Sequence, residues 1–348
     1  MNHLTDFDDM RMSNSSHGNA SVWSDNSSAH SHLNENFSLL TVKYTSAVFY
    51  LVTFIFGIVG NTLTIYVIVR NAAIRNKSVS NYYILNLAAA DELYVATLPF
   101  FCYMIITNDW IFGEVACKLA NVFRESNKWA SVLTLMALSI DRFLATYHNS
   151  TRFRQIKVGM SVCAVIWIVS LAVSSPYLIY SHSVPGSDGR HSCRTISMKQ
   201  LPTRALRGFW VYGQFTFGML IPFVVIGTFN VLLLRRLRRI ARSAADRNGH
   251  SRSRMNSSMF RLVLAIVIIF MACQLPYHII EILSLHFFEM HTSKKIVPSI
   301  VVANNFIYIN SIVQILVFIS SCCNPIVYGI FNKNYRKYRS INHPGFYL

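Results

Sequence analysis

Residues 208–234 read GFWVYGQFTFGMLIPFVVIGTFNVLLL, 27 positions without an aspartate, glutamate, lysine or arginine. The hydrocarbon core of a bilayer is about 30 Å thick, and a helix rising about 1.5 Å per residue needs about 20 apolar residues to cross it. This stretch is long enough, and comparable runs occupy 44–70, 81–107, 115–147, 158–180, 259–287 and 298–329. A soluble domain does not repeat such runs, because its helices keep one face for water. The pattern predicts an all-α membrane protein, a bundle of seven transmembrane helices over 44–329. A segment 1–43 precedes it and a segment 330–348 follows.

Composition agrees, with 53% hydrophobic and 14% charged residues. A net charge of +17 can mark a nucleic-acid binder, so its placement decides the matter. Twenty of the 32 lysines and arginines cluster after span one (Arg70, Arg75, Lys77), around the loop between spans three and four (Arg142, Arg152, Arg154, Lys157), between Arg235 and Arg261, and at Lys333, Arg336, Lys337 and Arg339. Positive residues favour the cytoplasmic side, which puts these loops and the C-terminus inside and the N-terminus outside, as in a multi-pass plasma-membrane protein. No nucleic-acid partner is expected. The basic inner surface suits anionic membrane lipid or an acidic protein partner.

Segment 1–43 is polar, without apolar periodicity, and is expected to be disordered. It carries Asn-x-Ser acceptors at Asn14, Asn19, Asn26 and Asn36, the expected glycosylation sites on the outer side. The first 30 residues hold no apolar core for a cleavable signal peptide, so span one is expected to act as a signal anchor. Of seven cysteines, only Cys117 and Cys193 fall on the oxidising side near water, and a disulfide between them is expected. Cys102, Cys163, Cys273, Cys322 and Cys323 lie inside spans as packing residues.

An ionisable residue inside a span is costly and marks a candidate site. Asp91 sits midway along span two and must be neutralised by a proton, a cation or a basic partner. Asn127 and Ser131 in span three, with Ser321 and Asn324 in span seven, supply oxygens for a sodium ion, or else a hydrated hydrogen-bond network. In the outer half of span three, Arg124, Lys128 and Ser131 fall at i, i+4 and i+7, a stripe that must face the interior. Glu281, beyond Pro276 in span six, is a candidate partner for one cation. Two readings follow: internal Arg124–Glu281 or Lys128–Glu125 pairs that organise the bundle, or a cationic pocket floor for an acidic group. The second is favoured, because one nearby acid does not neutralise two cations. Pro99, Pro176, Pro222, Pro276 and Pro325 interrupt five spans, each removing a backbone hydrogen bond.

The ordered set Gly60-Asn61, Leu87-Ala88-Ala89-Ala90-Asp91, Trp110-Ile111-Phe112-Gly113, Cys117, Asp141-Arg142-Phe143, Trp167, Pro222, Phe270 with Cys273-Gln274-Leu275-Pro276, and Asn324-Pro325-Ile326-Val327-Tyr328 resembles the rhodopsin-like (class A) G-protein-coupled receptors. Residues 81–93 further resemble the somatostatin, opioid and allatostatin-C receptor group. The resemblance implies an extracellular peptide ligand, a heterotrimeric G protein (Gi/o) and arrestin as partners, and a short amphipathic eighth helix from Phe331 to Arg339. It places the switch at Asp141, Arg142, Phe270, Pro276, Asn324, Pro325 and Tyr328, and ligand contacts at Arg124, Lys128, Gln274, Tyr277, His278, Glu281 and Gln314. Kinase sites for arrestin are expected at Ser243, Ser251, Ser253, Ser257 and Ser258.

The departures are informative. Arg124 stands where the group carries an aspartate, so an acidic ligand group or carboxylate is favoured over an amine. Gln274 replaces the span-six tryptophan, Asn230 the span-five tyrosine, and Asn256 the acidic partner of Arg142; appreciable basal signalling is expected. A carboxylate-bearing small molecule or lipid is the alternative ligand. A transporter is a remote one, since no internal repeat is visible. Span seven has no lysine for retinal, and no nucleophile–base pair or metal-ligand spacing suggests an enzyme.

Overall fold

The computed structural model describes residues 25–71, 78–147, 156–194, 203–245, 250–294 and 300–331. Its helices are α1 (Asp25–Arg70), α2 (Val79–Val95), α3 (Leu98–Thr107), α4 (Gly113–Tyr147), α5 (Ile156–Ser174), α6 (Pro176–Tyr180), α7 (Arg204–Phe215), α8 (Ile221–Ala245), α9 (His250–Lys294) and α10 (Ile300–Phe331). They form seven segments long and apolar enough to cross a membrane: Leu40–Arg70, Val79–Thr107, Gly113–Thr146, Ile156–Tyr180, Ala205–Ile240, Val263–His286 and Tyr308–Tyr328.

The exterior is apolar and much of the interior polar, as a lipid solvent demands. Val48, Phe56, Val59, Ile168, Phe209 and Val224 are exposed, while Asn61, Ser80, Asp91, Thr134 and Ser139 are buried. Lipid tails are as apolar as the side chains, so close packing and buried hydrogen bonds must hold the helices together. Asn86 does this for three spans at once, donating to Thr134 Oγ1 and accepting from Trp167 Nε1, both at 2.8 Å. Asn61 donates to the Ser321 carbonyl at 3.3 Å, tying span one to span seven. Gly159 in span four lies so close to Val79 in span two that an added Cβ would sit 2.4 Å from Val79 Cγ1.

The five prolines are accommodated in three ways. At Pro99 and Pro176 the helix breaks and restarts, with proline in the first turn of α3 and of α6, where its missing N–H costs little. Ahead of Pro222 the span widens into a π-helical turn over Thr216–Leu220. Pro276 and Pro325 stand inside continuous helices.

One boundary differs from the sequence reading. Helix α1 begins at Asp25, so 25–43 of the segment expected to be disordered is helical backbone. No glycine or proline occurs between Asp25 and Phe56, and a helix nucleated by the span propagates cheaply through such a stretch. Asn14 and Asn19, and the eighth helix beyond Phe331, lie outside the described residues, and nothing is described of the side chains of Asn26 and Asn36.

Between spans four and five, β1 (His182–Pro185) and β2 (His191–Arg194) form an antiparallel hairpin with Ser183 opposite Cys193. Its turn runs through Pro185-Gly186-Ser187-Asp188-Gly189, and Gly189 adopts φ +77°, a conformation that favours glycine. The hairpin is held at the end of the bundle by the Cys117–Cys193 disulfide (Cα–Cα 5.5 Å). The Trp110 N–H also donates to the His191 carbonyl, and the His191 N–H to Asp109 Oδ1, both at 2.8 Å.

Candidate functional site

Beneath the hairpin, span three turns a charged face inward. Glu125 is buried, and its Oε1 accepts from Lys128 Nζ at 2.7 Å and from Trp129 Nε1 at 3.2 Å. The pairing follows from helical spacing, since residues three apart share a face. Lys128 also lies over the Tyr277 ring, 5.5 Å from its centroid, in reach of a cation–π attraction. Its charge is therefore spoken for within the protein.

Arg124 is different. It is half-buried and makes no ion pair or hydrogen bond among the described residues; its guanidinium lies over the Phe101 ring, 5.8 Å from the centroid. Glu281 on span six is also half-buried and within the field of Lys128 and Arg124, yet forms no ion pair with either. Of the two internal pairings the sequence allowed, only Lys128–Glu125 forms. That local pair needs no helix to approach another, so the expected two-cation floor reduces to one cation, Arg124, and one acid across from it, Glu281, neither of them ion-paired among the described residues.

The surrounding wall is aromatic. His278 is buried against Phe215 (6.0 Å between ring centroids) and Tyr277 (5.5 Å), and Tyr177 lies against Trp210 (6.0 Å). Gln274 is buried with no partner for its Oε1 among the described residues, and Gln314 is half-buried. Spans five and six are joined at their ends near the hairpin by Tyr212 Oη and His286 Nε2, 2.8 Å apart.

Deeper in the bundle, Asp91 is almost fully buried and accepts from Asn324 Nδ2 at 2.7 Å and Asn127 Nδ2 at 3.1 Å. Ser321, one turn from Asn324 on span seven, is buried close enough to act on this carboxylate. Ser131, one turn from Asn127, is buried with no partner for its Oγ. The sequence-selected group around Asp91 is thus drawn together from spans two, three and seven.

At the opposite end from the hairpin, Asp141 accepts from Ser80 Oγ at 2.7 Å and pairs with Arg142 Nη2 at 2.7 Å. Arg142 Nη2 donates as well to Ser78 Oγ at 2.8 Å. The side chain of Asn256 is not among those described. Asn230 Nδ2 donates to Ser139 Oγ at 3.2 Å, linking span five to span three. Phe270 packs on Phe223 (6.0 Å), and Tyr328 is buried with its hydroxyl unpartnered.

The sequence reading did not select Trp129, Tyr177, Phe101 or the hairpin. For the hairpin a signal existed: Pro-Gly and Asp-Gly within Val184–Arg190 are turn dipeptides. The aromatic residues carried none, because in an apolar span they read as ordinary packing.

Seven helices long and apolar enough to cross a membrane thus surround a polar core, with buried charges beneath the hairpin and an acid–arginine pair at the other end, an arrangement suited to a transmembrane receptor. The family model for the seven-transmembrane receptors of the rhodopsin family matches residues 60–328, and this chain belongs to that family. It is a receptor, not an enzyme. The chain is 33% identical over 291 residues to somatostatin receptor type 2 of Mus musculus, covering 83% of this chain and 74% of that one. Against somatostatin receptor type 1 of Rattus norvegicus it is 30% identical over 290 residues (83% and 68%). Against type 5 of the same species it is 32% identical over 335 residues (91% and 85%).

Proposed function

We propose that this protein is a plasma-membrane receptor, N-terminus outside, for an extracellular peptide that presents an acidic side chain or a C-terminal carboxylate to Arg124. Agonist binding activates a heterotrimeric G protein, of the Gi/o class by resemblance, at the Asp141–Arg142 end. The half-buried Arg124, without an ion pair or hydrogen bond among the described residues, carries this reading. A guanidinium kept from water without a partner gains most from an anion, which it engages through paired N–H donors. The peptide character follows the somatostatin-receptor relatives. Gln274, Tyr277, His278, Glu281 and Gln314 supply the rest of the lining, and Lys128 orders Glu125.

Within the same reading, Asp91, Asn127, Ser131, Ser321 and Asn324 are the residues to hold a sodium ion. The buried Ser131 Oγ, one turn from Asn127 and unpartnered among the described residues, fits a hard cation, whose charge would neutralise Asp91 in the resting state. Release of Arg142 from Asp141 and Ser78 would free it for the G protein. Arrestin would follow on phosphorylation of the loop between spans five and six.

The test is a second-messenger screen in cells expressing the full chain, against neuropeptides each made as free acid and as C-terminal amide. An active peptide should need a carboxylate and lose about ten- to a hundredfold in potency in Arg124→Gln at unchanged surface expression. An amidated, acid-free peptide that acts equally on both proteins would refute the reading. A response only to carboxylate-bearing small molecules would keep Arg124 as the anchor and move the ligand class.

A further inference from the structure

Arg124 is only half of the unbalanced charge in this site. Glu281 stands one turn beyond Tyr277, the ring that Lys128 covers at 5.5 Å, and so lies on the face of span six turned toward span three; it is half-buried and has no ion pair among the described residues. A buried pair broken into two separated charges is costly unless something outside the protein completes both. Resting Arg124 on Glu281 would remove that cost directly, yet the two remain apart while Lys128, one turn below Arg124, is already satisfied by Glu125 at 2.7 Å. The arrangement is a pair of opposite charges on neighbouring helices, neither ion-paired among the described residues, with Tyr277 and Phe101 beside them.

From this juxtaposition we infer that the receptor recognises a dipolar segment of its peptide: an acidic group for Arg124 and, within one to three residues, a basic side chain for Glu281. The inference rests on the peptide-receptor reading and sharpens it. Packed helices stand about 8–10 Å apart axis to axis, and an extended chain advances about 3.3 Å per residue. Two charges one to three residues apart in the peptide therefore span the gap. The order of the charges also fixes the direction in which the segment lies across the bundle. A ligand with the acid alone would leave Glu281 uncompensated, and one with the base alone would meet the field of Arg124 and Lys128.

The proposal is tested with positional-scanning hexapeptide libraries, in which each position in turn is fixed as Arg, Glu or Gln, each library made as free acid and amide. The readout is the second-messenger response of the full chain in cells, with surface expression measured alongside. The position at which fixed glutamate (or the free C-terminal acid) gives most activity should lie within three positions of the one at which fixed arginine does. Glu281→Lys should reverse the preference at the basic position alone, by about tenfold or more. The double exchange Arg124→Glu with Glu281→Arg, which leaves net charge unchanged and guards against misfolding, should prefer the two charges in reversed order. If Glu281→Lys and Glu281→Gln leave every preference unchanged while Arg124→Gln abolishes the acidic one, this inference fails and the acidic-ligand reading stands. If neither position alters any preference, or no mixture activates the wild-type chain, both fail.

Discussion

Replacing Glu125 by glutamine removes the counter-charge of Lys128 while keeping the shape of the side chain. In the intact protein the Lys128 and Glu125 side chains are only 11% and 6% exposed and 2.7 Å apart, so water offers little replacement. Breaking a buried pair from one side costs about 3–5 kcal/mol. The glutamine carbonyl still accepts from Trp129 and weakly from Lys128, and the Tyr277 face offsets part of the loss, so the lower end applies, about 3 kcal/mol. At about 2 °C per kcal/mol for a domain of this size, the apparent unfolding midpoint of the detergent-solubilised receptor should fall by about 6 °C. Lys128→Met should cost a similar amount by stranding Glu125. The two together should recover most of it, because an apolar replacement of a whole buried pair is close to neutral. A double-mutant cycle on the thermal midpoint measures the coupling directly. Additive losses, with coupling under about 0.5 kcal/mol, would refute the pairing and return Lys128 to the pool of ligand-facing cations.

Other changes probe the frame. Cys117→Ala should cut surface expression severely, since the bond closes a loop of 76 residues and is worth about 4 kcal/mol by loop entropy; normal ligand potency and expression would show the hairpin to be held by Trp110 and Asp109 alone. Gly159→Val should destabilise by about 1–3 kcal/mol through the Val79 contact, and Val79→Ala should restore expression; a lack of rescue would place the strain elsewhere. Asp91→Asn should abolish any dependence of agonist affinity on sodium at constant ionic strength, and persistence of that dependence would remove Asp91 from the ion site. Trp167→Phe should cost about 1 kcal/mol by freeing Asn86 Oδ1, read as lower thermal stability with unchanged agonist selectivity.

The seven spans were readable because bilayer thickness imposes a length on each one, and no tertiary knowledge is needed to see it. Their ends moved by a few residues, and the first helix begins well ahead of the expected span, at Asp25. Asp91 was readable too, because an acid in an apolar run stands out, with Asn127 and Ser131 on one face of span three and Ser321 and Asn324 on one face of span seven. What span three does with Arg124 and Lys128 was not. Both are cations on one stripe, and only the distances show that Glu125 takes Lys128 and leaves Arg124. Proline signalled disturbance in five spans but not its form, since the cost of the lost hydrogen bond can be met by a break, a widened turn or a neighbour. The hairpin lay in a loop of mixed polarity whose strands are four residues each, too short for alternation to register.

The widened turn at Thr216–Leu220 has a consequence for how this receptor can change over evolutionary time. An α-helix advances about 100° per residue, and the turn holds one residue more than the regular spiral would. The extra residue is absorbed within that one turn, so the portion of span five toward the hairpin stays aligned with the portion carrying Asn230 and the arginines beyond it. Losing a single residue there would let the span close into a regular helix with Gln214, Phe215 and Trp210 still on the faces they now occupy. This span can thus change length by one residue without disturbing either the site near the hairpin or the face at the opposite end.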